Sequence, residues 1–326
     1  MKTTIKNTPS RMVRFYIIGL LMMLVLPLLA EEINNSAAAY IRMGIGARII
    51  AMGEAGAATA NDITAAYWNP AGLTNMKDIE FSSMYNMNMG LDRKYQYAAI
   101  GKRFGFGVLA VNWINASVDD ITEADASGNA TGSFSDSEHN IAISYANSYK
   151  KMSYGFTPKL YLSSINGEMK SGFGLDLGAR YDINQYIESG IMIRDLYGKV
   201  ADDRIPYQIQ AGVTAYPFIG VTLAADLVWE QAESPGIAFG GEYWTSIGRD
   251  PEADSQLSVI NVQEKNTWAD IFSNFQTGVR VGFDTESRFS AGAGMKFRNI
   301  QLDYVYRLGN NDIFNDDHII SLILRF

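Results

Sequence analysis

From about Ile79 to the C-terminus, apolar and polar residues alternate along the chain. In the run Phe173–Tyr181 one face reads Phe173, Leu175, Leu177, Ala179 and Tyr181, and the other Gly174, Asp176, Gly178 and Arg180. Val221, Leu223, Ala225, Leu227 and Trp229 alternate with Thr222, Ala224, Asp226, Val228 and Glu230. Phe289–Phe297 and Ile300–Leu308 repeat the pattern. A period of two belongs to strands, whose successive side chains point to opposite faces. The polar face carries mid-strand charges, namely Asp176, Arg180, Asp226, Arg280, Asp303 and Arg307, interleaved with glycine. Fourteen strands follow, approximately 79–88, 94–103, 105–118, 138–149, 151–165, 172–183, 186–197, 206–216, 219–230, 236–245, 275–284, 287–297, 299–308 and 318–326.

Strands of roughly 9–12 residues with one apolar and one charged face have the length of tilted membrane-crossing strands. The pattern predicts an all-β, antiparallel transmembrane barrel with apolar side chains toward lipid and charges toward the lumen. Tyr85, Tyr149, Tyr186, Tyr216, Trp229 and Trp244 stand near strand ends, as interfacial girdles do. An even strand count puts both ends of the barrel on one side, and connections of alternating length agree. Phe104-Gly105, Tyr149–Lys151, Asn184-Gln185, Pro217-Phe218 and Arg298-Asn299 read as tight periplasmic turns; 119–137, 198–205 and 309–317 read as long outer loops. One connection breaks the alternation. Ser246–Asn274 is long and polar on the predicted periplasmic side, and reads as an insertion, the alternative being further strands within Gln256–Val262.

The two ends of the chain set the compartment. Lys2, Lys6, Arg11 and Arg14 precede an uncharged apolar run, Phe15–Leu29, that closes at Ala30, so residues 1–30 read as a cleavable export signal. At the other end Ile320, Leu322, Leu324 and Phe326 share one face of the last strand, the form of an assembly signal read by the barrel assembly machinery. The chain has no cysteine, which excludes disulfides and thiolate chemistry. Removing the four cations of residues 1–30 from the 27 Lys and Arg leaves 23 against 35 acids, a net charge of −12. That balance argues against nucleic acid or anionic lipid headgroups as ligands of a basic patch; outer-membrane lipid is the partner that the barrel itself implies.

Residues 31–78 do not alternate. They are rich in Ala and Gly, and Arg42, Arg48, Glu54 and Asp62 are almost their only charges after Glu31-Glu32 and before Lys77. A fourteen-stranded lumen is too wide for its own side chains to fill, so this segment is the expected plug. Pro70 drives Asn69 out of the helical region, Gly72 permits a tight return, and Trp68 needs a wall to bury against. Arg48 and Asp62 are expected to pair with each other or with lumen charges such as Asp303 or Arg307.

The motifs Ala47-Arg48, Ala51-Met52-Gly53, Ala57, Asp62 and Ala65–Leu73 (AAYWNPAGL), with Gly241–Trp244, Leu302–Tyr304 and the closing Phe326, resemble the PorV/PorQ family. The resemblance implies a FadL-like outer-membrane barrel with an N-terminal segment folded into the lumen. It also implies a non-enzymatic partner in type IX protein secretion, receiving cargo proteins, or else a transporter of hydrophobic small molecules. A charged, plugged lumen favours the first and a continuous apolar path the second. The Ser246–Asn274 connection departs from the tight turn usual in that family.

Catalytic constellations do not emerge. His139 and His318 have no Ser-Asp or second-His context. Gly44-Ile-Gly-Ala-Arg lacks the third glycine of a dinucleotide turn. Asp119, Asp120, Glu123, Asp125, Asn129 and Asp136 are oxygen-rich but not spaced as a calcium loop, and read as a solvated connection. No cofactor and no metal site is expected.

Overall fold

The computed structural model of the chain describes residues 37–87, 93–246, 275–309 and 316–326. The export signal lies outside them, as do all but the first residue of the expected insertion and the first six residues of the plug segment. The described strands are β1 (Ile79–Asn86), β2 (Arg93–Phe104), β3 (Gly107–Ala124), β4 (Ala130–Tyr149) and β5 (Met152–Ile165). After them come β6 (Glu168–Asn184), β7 (Ile187–Val200), β8 (Asp203–Arg204), β9 (Gln208–Ala215) and β10 (Val221–Glu230). The last are β11 (Gly236–Ser246), β12 (Phe275–Phe283), β13 (Phe289–Phe297), β14 (Ile300–Arg307) and β15 (Asp317–Arg325).

All pairings are antiparallel and sequential, except that β9 pairs with β7 and the two-residue β8 is an outgrowth of β7. The β1–β15 pairing, with Glu80 opposite Arg325 and Tyr85 opposite Ile320, closes the ring. The fold is therefore a closed antiparallel barrel of fourteen wall strands. Closure matters because lipid offers no partner to a free strand edge.

The side chains are arranged inside out. On β14, Leu302 and Tyr304 face outward and are exposed, while Gln301, Asp303, Val305 and Arg307 face inward and are buried. On β10, Leu223, Ala225 and Leu227 are exposed while Thr222, Ala224 and Asp226 are buried. A water-soluble sheet would bury the opposite set; only a hydrocarbon surround makes this one stable. On β15, Ile320, Leu322, Leu324 and Phe326 share the outer face, as the alternation requires.

The connections differ in kind between the two rims. One rim holds the tight turns at 105–106, 150–151, 185–186 and 298–299 and receives both ends of the barrel; it is called the turn end below. The insertion joins β11 to β12 at this same end, because Ser246 pairs with Gln276. The opposite rim is the loop end.

Three sequence expectations need correction. The stretch 119–137 is not a loop: β3 and β4 run through it as a ribbon and turn only at Asp125–Asn129. At ~3.3 Å per residue these strands of 18 and 20 residues are far longer than the membrane needs, so the ribbon projects from the loop end. Its polar sequence hid it, since outside the membrane no apolar face is required. The stretch 198–205 likewise holds a small hairpin, with Lys199 opposite Arg204. Finally, Trp244 is not in the girdle. It shares the inward parity of Glu242, and its ring lies under Lys296 (3.8 Å) and Arg280 (4.9 Å). Tyr85, Tyr149 and Tyr186 are exposed, while Trp229 is half-buried with its ring edge-on to Tyr207 at 5.6 Å.

Lipid exposure of the outer face is testable. Leu302→Arg, near the middle of β14, is expected to cost ~2–4 kcal/mol of barrel stability in lipid vesicles. Met169→Arg, at the loop-end start of β6 where the side chain is already exposed, should cost less than ~1 kcal/mol. Urea titration read by heat-modifiable gel mobility measures both; equal losses would overturn the assignment of depth.

Candidate functional site

The plug is built from short pieces because its sequence is rich in small residues and sparsely charged. Helical turns at Ala39–Arg42, Ala47–Ile50, Ala65–Trp68 and Pro70–Asn75 are joined by tight bends. A piece of one turn cannot satisfy its own ends, so the bonds go to side chains of the plug and of the wall. Ala47 N–H donates to Ser321 Oγ (3.1 Å) on β15, Ala57 N–H to Asp226 (2.8 Å) on β10, and Ile63 N–H to Glu80 (3.0 Å) on β1. The Thr59 and Thr214 hydroxyls share a 2.6 Å bond. The plug is thus bonded around much of the ring.

The plug motif residues each have a defined job. Trp68 is buried, donates Nε1–H to the Ile45 carbonyl (2.9 Å) and meets Tyr67 edge-on at 4.9 Å. Asn69 caps the following turn through Oδ1, and its amide donates to the carbonyls of Ala57 (2.6 Å) and, more weakly, of Ala179 and Ile191 on the wall. Pro70 follows at the first position of that turn, where its missing N–H costs nothing. Gly72 is needed for close approach rather than for a left-handed return: a β-carbon there would sit 2.1 Å from the Ala60 carbonyl oxygen.

The wall receives the plug backbone on glycine. A β-carbon at Gly240 would lie 2.3 Å from the Met52 carbonyl oxygen, one at Gly282 2.0 Å from the Gly53 nitrogen, and one at Gly190 2.0 Å from the Ala57 carbonyl oxygen. The glycines interleaved with charge on the inner face are therefore seats for the plug.

All six lumen charges named from the alternation are buried and engaged. Arg48 does not depend on Asp303 or Arg307. It makes a two-pronged bond to Glu242 (2.9 and 2.8 Å), donates to Asn61 (2.8 Å), and approaches Asp62 only to 3.8 Å. Asp62 instead accepts from the backbone N–H (2.9 Å) and the hydroxyl of Thr64. Glu242 also accepts from Arg280 (2.6 Å), and Arg280 lies 2.9 Å from Asp303, which accepts from Gln301. Charges thus alternate in sign from plug to wall: Arg48, Glu242, Arg280, Asp303. Arg307 joins Glu54 of the plug (2.7 Å) to Asp317 (2.6 Å), and Arg180 pairs with Glu188 while reaching the Ala60 carbonyl.

A second network lies around a double bulge. Between Phe173 and Leu177, β7 carries two residues more than β6 opposite, and Asp195 and Tyr197 take up left-handed backbone angles. The bulge turns Asp195 into the barrel. There it receives Arg42 (2.6 Å), Lys159 (3.0 Å) and the Tyr161 hydroxyl, while its N–H donates to Asp176 (2.9 Å). Arg42 completes its set on Glu230 (2.7 Å) and the Pro206 carbonyl (2.6 Å).

Lys159, Glu188, Asp195 and Glu242 were not among the predicted lumen residues, and Arg42 and Glu54 were named only as charges of the plug segment. Parity alone would have found Glu242, since it alternates with Tyr243 and lies in step with Gly240 and Trp244. Asp195 had no such signal, because a bulge resets the alternation. On the ribbon, the Asn129 side-chain amide donates to Asp125 and holds its carboxyl below the usual carboxylate range. Asp125 also accepts from the Ser127 and Asn129 N–H groups, so it is occupied by its own turn.

Two cavities open around the first plug turn, toward the loop end. One, of about 510 Å3, is polar, with Arg42, Glu54, Trp68, Arg194, Gln210 and Glu230 in its lining. The other, of about 370 Å3, has Ala38, Tyr40, Met43, Ala116 and Val118 in its wall, with Arg93, Lys94 and Glu138 around them.

No protein-family model and no curated protein sequence matches the chain. Solved structures do. The Pseudomonas putida toluene transporter TodX superposes with a TM-score of 0.59 at 10% identity, over 87% of this chain and 98% of that one. The Ralstonia pickettii toluene transporter TbuX gives 0.59 at 13% identity with the same coverage. The monoaromatic hydrocarbon channel CymD gives 0.54 at 12%, again over 87% and 98%. At such identities the likeness establishes the fold, a FadL-like barrel of fourteen strands.

Planar-bilayer conductance tests the plug. The wild type is expected to be quiet, and Gly282→Val, which places a side chain where the Gly53 backbone lies, to conduct strongly while still assembling. Arg48→Ala should have the smaller effect, because Arg280 remains on Glu242. Arg42→Ala should give brief openings, because the first turn loses the three bonds of that side chain. A wild type that conducts like an open pore would remove the plug.

Proposed function

We propose that this chain is an outer-membrane channel that admits small hydrophobic molecules at its loop end and passes them around the plug. The observation that carries this reading is the 370 Å3 cavity beside the first plug turn. Ala38, Ala39, Tyr40, Met43, Ala116 and Val118 form an apolar side of its lining, with Arg93, Lys94, Ser117, Asp136 and Glu138 completing it, and its volume suits a single-ring molecule. The fold shared with toluene transporters and a monoaromatic hydrocarbon channel supports the same class of substrate. The tight turns and both barrel ends belong on the periplasmic side, which makes the cavity the outward-facing entrance.

A second reading has one observation in its favour. Paired charges, from Arg48 to Asp303 and from Glu54 to Asp317, fill the lumen beneath the cavities. A barrel closed in this way also suits a protein-docking role, as the PorV/PorQ resemblance implies, with secreted cargo received at the loop end.

Uptake separates the two. Cells lacking their own hydrocarbon channel, but with an intact lipopolysaccharide layer, should accumulate labelled toluene several-fold faster when they carry the wild type. Ala116→Trp, which fills the cavity, should return the rate to that of empty cells without altering heat-modifiable mobility. If the wild type gives no acceleration, the channel reading falls and the docking reading stands.

A further inference from the structure

The rims of the barrel differ in charge as well as in length of connection. Among the described residues, the turn end exposes Lys77, Lys102, Lys150, Lys151 and Arg298, against the exposed acids Asp78 and Asp182. Arg103 is also exposed there and is engaged with the carbonyls of Thr74 and Met76. The loop end has the opposite bias, with Asp119, Asp120, Glu123 and Asp125 exposed along its ribbon.

The turn-end cations are not scattered. Three of the tight turns repeat one arrangement, a cation beside an aromatic ring at the end of a strand. Lys102 lies 5.7 Å from the centre of Phe104, which itself stacks on Phe106 at 5.2 Å. Lys150 lies 5.3 Å from the centre of Tyr149, and Arg298 5.3 Å from Phe297. Successive turns are two strand spacings apart, about 10 Å, so β2–β3 and β4–β5 present their cations side by side.

Apolar tips fix the depth of this collar. Phe218 and Ile219, in the β9–β10 turn, are 76% and 99% exposed, Phe106 58%, and Phe326 68%. Water would penalise these side chains on a turn, whereas the boundary between acyl chains and headgroups accommodates them. The cations beside them then stand at the level of lipid phosphate, which accepts hydrogen bonds from Lys and Arg.

We propose that the turn end is a lipid-binding collar, in which Lys102, Lys150, Lys151 and Arg298 hold the phosphates of anionic phospholipids in the leaflet around the tight turns. Aromatic neighbours set the depth, and the cations select the charge. The collar lies on the outside of the wall, so it is independent of what passes through the lumen. It would stand even if the uptake experiment failed.

The experiment uses the full-length barrel reconstituted in a mixture of phosphatidylethanolamine and phosphatidylglycerol. Lipid retained on mild extraction is identified by native mass spectrometry. The wild type is expected to retain phosphatidylglycerol well above its share of the mixture, and to lose that enrichment as salt is raised. The variant Lys102→Gln/Lys150→Gln/Lys151→Gln/Arg298→Gln should reduce it about tenfold or more, each cation being worth up to about fivefold at an anionic surface. The loop-end control Lys170→Gln/Lys199→Gln should leave it unchanged. Retention in the ratio supplied, enrichment indifferent to salt, or equal enrichment in the collar variant and the wild type would each overturn the proposal. Should the fourfold variant fail to assemble, the salt series on the wild type decides alone.

Discussion

An inner face of charge inside a shell of hydrocarbon is the constraint that the rest of this molecule answers. Closing fourteen strands into a ring satisfies the backbone of the wall. It leaves a lumen wider than its own side chains can fill, lined by Asp176, Arg180, Asp226, Arg280, Asp303 and Arg307. Buried charge without a partner is costly by several kcal/mol. Residues 37–78 resolve this by supplying both volume and complementary groups. Arg42, Arg48 and Glu54 meet wall residues of opposite sign, while the rest of the segment stays small enough to lie backbone-first against wall glycines. Plug and wall are therefore a single packing problem, and neither sequence makes sense without the other.

What was legible in the sequence follows the same division. Strand number, sidedness and closure could be read because each depends on a period of two, which lipid on one face enforces at every position. Leu302 out and Asp303 in needed no more than that. Pairing inside the lumen could not be read, since it depends on which parts of the plug lie against which strand. Arg48 has Glu242 rather than Asp303 as its partner only because Met52-Gly53 docks at β11 and β12. Where the membrane ceases to act, the period loses its force as well, and the β3–β4 ribbon passed for a loop. Trp244 was misplaced for a different reason. An aromatic residue near a strand end resembles a girdle residue by type, although its parity with Glu242 already placed it inside.

The wall departs from regularity at one place above all, the double bulge in β7. Two inserted residues break the ladder between Phe173 and Leu177, and the loss is repaired by side chains. Asp176 accepts the Asp195 N–H, and Lys159 bridges both carboxylates at 2.7 and 3.0 Å. Such a repair is conditional in a way that a ladder bond is not, because it lasts only while its charges stay paired. The same Asp195 holds Arg42, so the bulge and the first plug turn share one set of bonds.

Magnitudes then indicate which part of the plug can move. The body of the segment, from Ala47 to Met76, is fixed by Arg48 on Glu242, Ala57 on Asp226, Ile63 on Glu80, Thr59 on Thr214 and the Asn69 amide. At roughly 0.5–3 kcal/mol each, with charged partners at the upper end, these bonds together approach the ~5–15 kcal/mol that holds a whole domain folded. Withdrawing the body as a unit would also uncover the wall charges and vacate the glycine seats. The first turn is held by fewer bonds: the three of Arg42, the Ala37 N–H on the Arg204 carbonyl, the Tyr67 hydroxyl on the Ile41 carbonyl (2.6 Å) and Arg307 on the Met43 carbonyl (3.3 Å). It also stands between the two loop-end cavities, with Arg42 lining one and Ala38–Tyr40 and Met43 lining the other. Opening therefore costs least at residues 37–43, where Arg42 supplies three of the bonds that hold the turn beside both cavities and where release leaves the plug body seated.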